Sequence, residues 1–205
     1  MSWIFKTILR HRDIMTDMGD WNDMKVKYSV GKVYQYLKMD EHDVRWNHML
    51  SNSIARPKAL FTLWMACHRR LATKMWLKKF GITTDDRCKF CNKEETIDHL
   101  FFQCPPFQSC WQEILGWMRV QHTPCDWHEE LNWIMTQCKG KGWRKCLLRS
   151  SIAETIYEVW KYRNNAVFGN TVHTMEIRDV VISILVNRGW VNTSLRRHIA
   201  NLLID

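Results

Sequence analysis

Residues 88–104 read CKFCNKEETIDHLFFQC, and four side chains in that run decide how the chain is read: Cys88, Cys91, His99 and Cys104, spaced Cys-x2-Cys-x7-His-x4-Cys. A tetrahedral zinc ion needs two thiolates held on a tight knuckle and two further soft donors returned by a loop or a helix turn. The spacing supplies both. If 98–103 is helical, His99 and Cys104 lie a little over one turn apart and can reach one ion. Three thiolates and one imidazole fill all four positions, so the ion reads as structural, with no open position for water or substrate. The competing interpretation makes the four residues buried small hydrophobes and a core histidine; the order of the ligands favours the ion.

Helical patterns flank this run on both sides. Upstream, Pro57 suits a first helical position and starts a helix to about Leu71, with Leu60, Phe61, Leu63, Trp64 and Cys67 inward. Thr73 caps a successor over Lys74 to Phe80, and Gly81 ends it. Further upstream lie amphipathic segments at Ser2 to Thr16, Val30 to Met39 (capped by Ser29) and Val44 to Ser53. Downstream, Pro105 and Pro106 open a helix through Phe107, Trp111, Ile114, Leu115 and Met118, and Asp126 with Glu129 forms a capping box for Trp127 to Cys138. Between Gly142 and Phe168 a stripe of Trp143, Leu147, Ile152, Ile156, Val159 and Trp160 predicts a long helix ended by Gly169. Thr174 caps a helix through Ile177, Val180, Val181, Ile184 and Leu185, and a short one runs from Ser194 to Leu203. The fold expected is mostly α, a helical domain with a small Cys3His zinc loop inserted between helices and a C-terminal helical region after it. Its divisions are an N-terminal helical segment at 1–29, a zinc-binding domain at 30–119 and C-terminal helices at 120–205, with the junction at Val120 to Pro124.

Composition agrees. Of 205 residues 46% are hydrophobic, enough for a substantial core, while only 8 Gly and 4 Pro interrupt them. No apolar run approaches the roughly 18 residues of a membrane span. Met1 to Arg12 lacks the apolar run and small-residue cleavage site of a secretory signal. Together with eight cysteines this predicts an intracellular, reducing compartment, nucleus or cytoplasm. Cys67, Cys110, Cys125, Cys138 and Cys146 are dispersed and read as core residues.

Thirty Lys and Arg against 21 Asp and Glu leave a charge of +9, compatible with a polyanionic partner. The zinc loop itself is a poor grip on phosphate, since Asp85, Asp86, Glu94, Glu95 and Asp98 oppose Arg87, Lys89 and Lys93. By contrast Ser51 to Thr84 contains no acidic residue and carries Arg56, Lys58, Arg69, Arg70, Lys74, Lys78 and Lys79. These seven are the candidate nucleic-acid contacts, and Arg70, Lys74 and Lys78 stack on one face if the helix continues past Thr73. His42, His48, His122 and His128 have no nucleophile or carboxylate partner legible in sequence, so a hydrolase is not expected.

The run ARPKALFTLWMACHRRLATKMWLKKFGI at 55–82, then CKFC, EETIDHLFFQC and Trp111, resembles the reverse-transcriptase zinc-binding domain at the carboxyl end of plant non-LTR (LINE-type) retrotransposon polyproteins. The resemblance covers about Val30 to Met118. SWIFKTILRHRD at 2–13 and IYEVWKYRNNAVF at 156–168 resemble segments that flank this domain. It implies an accessory region that follows the polymerase domain and contacts template or target nucleic acid. Zinc is its structural metal, held by Cys88, Cys91, His99 and Cys104. Polymerase carboxylates are missing, Asp85 and Asp86 being loop residues, so no enzyme activity is expected of this chain. The expected function is a non-catalytic zinc-binding remnant that binds RNA or DNA weakly, largely without sequence preference, through backbone phosphates. The alternatives are a protein-interaction module in which the zinc loop presents Leu100, Phe101 and Phe102 to a partner, or a decayed retroelement fragment without selected function. No membrane partner is expected.

Overall fold

In the computed structural model, residues 46–169 and 177–203 are described, and they fall within one unit, Arg45–Asp205. The helices expected at 2–16 and 30–39, and the cap Thr174, lie outside the described residues. Among the described residues there are nine helices and no strand: α1 Asn47–Leu50, α2 Pro57–Cys67, α3 Lys74–Lys79, α4 Ile97–Phe102, α5 Pro105–Trp117, α6 Trp127–Gln137, α7 Trp143–Val167, α8 Ile177–Val191 and α9 Arg196–Leu202. None of them is long and apolar enough to cross a membrane.

Local chemistry sets most of the helix ends. Thr73 Oγ1 accepts from Trp76 N and caps α3, and Asp126 accepts from His128 N and Glu129 N to cap α6. Gly81 follows α3 at φ 68°, the left-handed conformation that closes a helix at least cost on glycine. Helix α2 is shorter than its sequence pattern predicts, stopping at Cys67 instead of about Leu71. Arg69 adopts φ 54°, its N–H bonding Ala66 O while Arg70 N–H bonds Met65 O. This is a left-handed helix stop formed without glycine. Arg70 is therefore not on the helix that carries Lys74 and Lys78, and the predicted three-residue basic face does not form.

The long helix α7 is the spine. It packs on α2 and α8 and touches α5 and α6, while α4 sits against α5 and α6. Elements on both sides of the loop at 120–124 share one core, from Met49 through Trp111 and Ile152 to Leu202. The apolar stripe of α7 predicts one buried face, yet every residue from Leu147 to Ile156 is buried, Arg149, Ser150, Ser151, Glu154 and Thr155 included. Ser150 and Glu154 are matched by partners distant in sequence, while Arg149 and Ser151 bond nearer carbonyls, which is how a mid-core helix can bury a polar side. Glu154 accepts from Arg56 N at 2.6 Å and from the Arg56 guanidinium at 2.6 and 2.9 Å, Glu158 accepts from Arg56 at 2.6 Å, and Ser150 Oγ accepts from Ile54 N at 2.9 Å.

Gly189 lets α8 and α9 meet. A Cβ there would lie 2.7 Å from Cγ1 of the buried Ile199. Gly189→Ala is expected to destabilise the chain by about 1–3 kcal/mol, reduced by the better helix propensity of alanine. Combination with Ile199→Ala should cost less than the sum of the two single changes. A urea-unfolding cycle that gives simple additivity would contradict this close approach.

Candidate metal centre

The knuckle is built from backbone first. Cys88 N–H bonds Lys93 O, Asn92 N–H bonds Cys88 O, and Asn92 turns the chain at φ 60°. An isolated antiparallel bridge between Arg87 and Glu94 closes the loop. Thr96 then caps α4, its hydroxyl accepting from His99 N, which fixes the start of the helix that carries the imidazole. Cys104 occupies the N-cap position of α5, directly before Pro105.

These segments bring one donor atom from each of Cys88, Cys91, His99 and Cys104 within 4.8 Å of one another. A zinc–sulfur bond of about 2.3 Å in a tetrahedron sets sulfurs about 3.8 Å apart; the Cys88–Cys104 and Cys104–Cys91 separations are 3.7 and 3.8 Å. His99 Nε2 lies 3.0 Å from Cys91 Sγ. Cys88, His99 and Cys104 are buried. Crowding sets the thiols against one another: the contact with Cys104 lowers the pKa of Cys88, and the same contact raises that of Cys104. A dication is the group that lets all three ionise together. The donors fit zinc in type, number and spacing, and four of them close its coordination shell.

The knuckle is docked as well as folded. Phe90 packs edge-on against Phe107 and beside Tyr162 of α7, and Lys89 Nζ donates to Ala166 O. Glu95, fully buried, takes Arg163 of α7 at 2.5 and 3.0 Å and the backbone N–H of Lys74 at 2.8 Å, all on Oε1. One carboxylate thus joins the zinc loop to both α3 and α7.

The seven cations of the basic strip are dispersed by folding. Arg56 points at Glu154 and Glu158; burial works against its charge, but those two hydrogen bonds more than offset it and its pKa is raised. Arg69 forms a two-pronged pair with Asp98 at 2.8 Å, and Lys74 and Lys78 reach Asp85 and Asp86 at 2.6 Å. The lysine hydrogen bonds hold both aspartates below the usual carboxylate range. The zinc loop's acidic residues, expected only to weaken its own grip on phosphate, therefore also pair with Arg69, Lys74 and Lys78 of the strip beside it. The complementary charges were visible in sequence; their pairing required the loop to fold back on α3. Arg70 lies over the Trp64 ring at 5.8 Å, and Lys58 and Lys79 are exposed without a carboxylate partner among the described residues.

Two further readings change. Leu100, Phe101 and Phe102 are at most 1% exposed, so the zinc loop does not present them to a partner; α4 turns them into the core against Trp111 and Trp127. His122 does have a carboxylate: its Nε2 lies 2.9 Å from Glu130, which also accepts from Trp111 Nε1 and Cys125 N. Cys125, beside them, has its thiol pKa raised by desolvation and by Glu130, Glu129 and Asp126. That is the reverse of an activated nucleophile. Cys67 and Cys138 are pushed up to about 12 and about 11 by burial, as inert core thiols are.

Fold and site together define a helical domain stapled by a structural zinc. Residues 28–111 match the family described as zinc-binding in reverse transcriptase, and this segment contains all four candidate ligands. No curated protein and no solved structure matches the chain. The matched segment is similar to that zinc-binding domain, and its Cys3His donor set supports Zn2+ as the structural ion.

Proposed function

We propose that the chain is a non-catalytic accessory region of a reverse transcriptase from a plant non-LTR (LINE-type) retroelement, working in a reducing intracellular compartment and binding RNA or DNA through backbone phosphates. The observation that carries the non-catalytic part is the Cys3His set, three of its ligands buried, in which four protein donors leave no place for a substrate at the metal. Support for a polyanionic partner comes from the charge of +9, of which the thiolates of a loaded site would remove only about one unit. Within the basic strip, Lys58, Arg70 and Lys79 are the cations left to meet phosphate.

The test is retention of labelled RNA and DNA oligonucleotides by the zinc-loaded full chain as salt is raised. Neutralising several phosphates should weaken binding at least tenfold between about 50 and 200 mM salt. Binding indifferent to salt, or none at all, would overturn the nucleic-acid reading while leaving the zinc staple untouched.

A further inference from the structure

The helix that forms the spine begins in an acid-free groove, and the groove contains a buried cation, Arg149, that no carboxylate pairs with among the described residues. Gly142 caps α7 without any side-chain acceptor, and no acidic residue occupies the first turn. The first N–H groups of a 25-residue helix therefore end there with the positive end of its dipole. The groove is bounded by this helix start, the 192–195 turn and the 52–54 segment, holds about 540 Å³, and has Lys141, Arg149 and His198 but no aspartate or glutamate in its walls.

Arg149 lines this groove. It is 2% exposed, and among the described residues no carboxylate pairs with it. Its Nη1 donates to Cys138 O at 2.9 Å and Gly140 O at 3.3 Å, while its buried Nε has no partner. Those carbonyls at the end of α6 offset part of its charge, but a buried guanidinium without a counter-ion remains costly. Alongside it, Trp143 and His198 stack in parallel, 4.3 Å between centroids and 5° between planes. Trp143 lies between His198 and the Arg144 guanidinium, 5.1 Å from its ring, so the pair forms a rigid edge of the groove and not a platform for a base.

We propose that this groove is a nucleic-acid site in which a backbone phosphate is held by Arg149, Lys141 and the amino end of α7, next to the Trp143–His198 pair. The proposal rests on the nucleic-acid reading above and moves its centre away from the basic strip, to residues beyond the matched segment.

Lys141→Glu and Ser194→Glu place a carboxylate at the groove from exposed positions that the core does not need. In the zinc-loaded full chain each should weaken oligonucleotide binding about tenfold, with a salt slope smaller by about one for each phosphate no longer neutralised. Lys93→Glu, an equal charge change to Lys141→Glu on the exposed zinc knuckle, should stay within about twofold of the parent; melting curves confirm that all three remain folded. Retention that falls equally with Lys93→Glu, or not at all with the groove variants while the parent binds, overturns the groove and leaves the general reading standing. A parent chain that retains no oligonucleotide overturns both. Calorimetric binding of inorganic phosphate, abolished in Lys141→Glu but without oligonucleotide retention, overturns the nucleic-acid assignment and makes the groove a small-anion site.

Discussion

Stripping the ion with a chelator, or replacing one ligand by Cys88→Ser, is expected to lower the melting temperature by ten degrees or more and to abolish a stoichiometry of about one zinc per chain. The reason is mechanical as well as chemical. The loop that holds Cys88 and Cys91 has few regular hydrogen bonds, and without a cation the contact that favours the Cys88 thiolate disfavours that of Cys104. Metal binding energy there is folding energy. The loss should spread beyond the loop, because Phe90, Lys89 and Glu95 use it to hold the end of α7. Acid should act in the same direction: protons compete with the ion for three sulfurs and one imidazole, so zinc is retained at neutral pH and released as pH falls. Cys67→Ala is the matched control, costing packing but leaving the metal content at one. Protein purified without metal, melting as it does after zinc is added, would contradict the staple.

The second large effect is expected at Glu95. With Arg163 1% exposed and Glu95 fully buried, Glu95→Ala strands a guanidinium in the core and leaves the Lys74 N–H without its acceptor. Removing one member of a buried pair costs about 3–5 kcal/mol, roughly 10 °C in a chain of this size. Removing both by Glu95→Leu with Arg163→Met should recover much of that loss, since a buried pair is often replaceable by well-packed apolar groups. Zinc affinity separates the structural role from simple core damage. The single change should weaken zinc through the loosened knuckle, whereas core damage from Gly189→Ala, far along the chain from the ligands, should leave zinc affinity unchanged. Equal zinc affinity in Glu95→Ala and the parent would show that the carboxylate does not brace the metal loop.

How much of this was legible beforehand differs from element to element. The ligand spacing, the caps at Thr73 and Asp126 and the stop at Gly81 are local chemistry, written in residues a few positions apart, and each could be read directly. The end of α2 could not. Arg69 is a poor candidate for a left-handed stop, and its conformation is held together with its pair to Asp98, 29 residues away. The polar side of α7 was equally opaque. Its serines, glutamates and arginines resemble a solvent face, and only Arg56, Ile54 and Glu95, brought from 68 to 98 residues away, turn that face inward.

The sequence alone therefore determined that the chain is helical and that four soft donors share one centre, because helix caps, apolar period and metal-ligand spacing all operate over a few residues. Tertiary structure alone decided which charges remain available. Aspartates of the zinc loop pair with Arg69, Lys74 and Lys78, Leu100 to Phe102 go inward, and Arg149 is buried at the floor of an acid-free groove. Charge pairing acts through space over a few ångströms, so the side chains that cancel one another are chosen by the fold and not by their order along the chain.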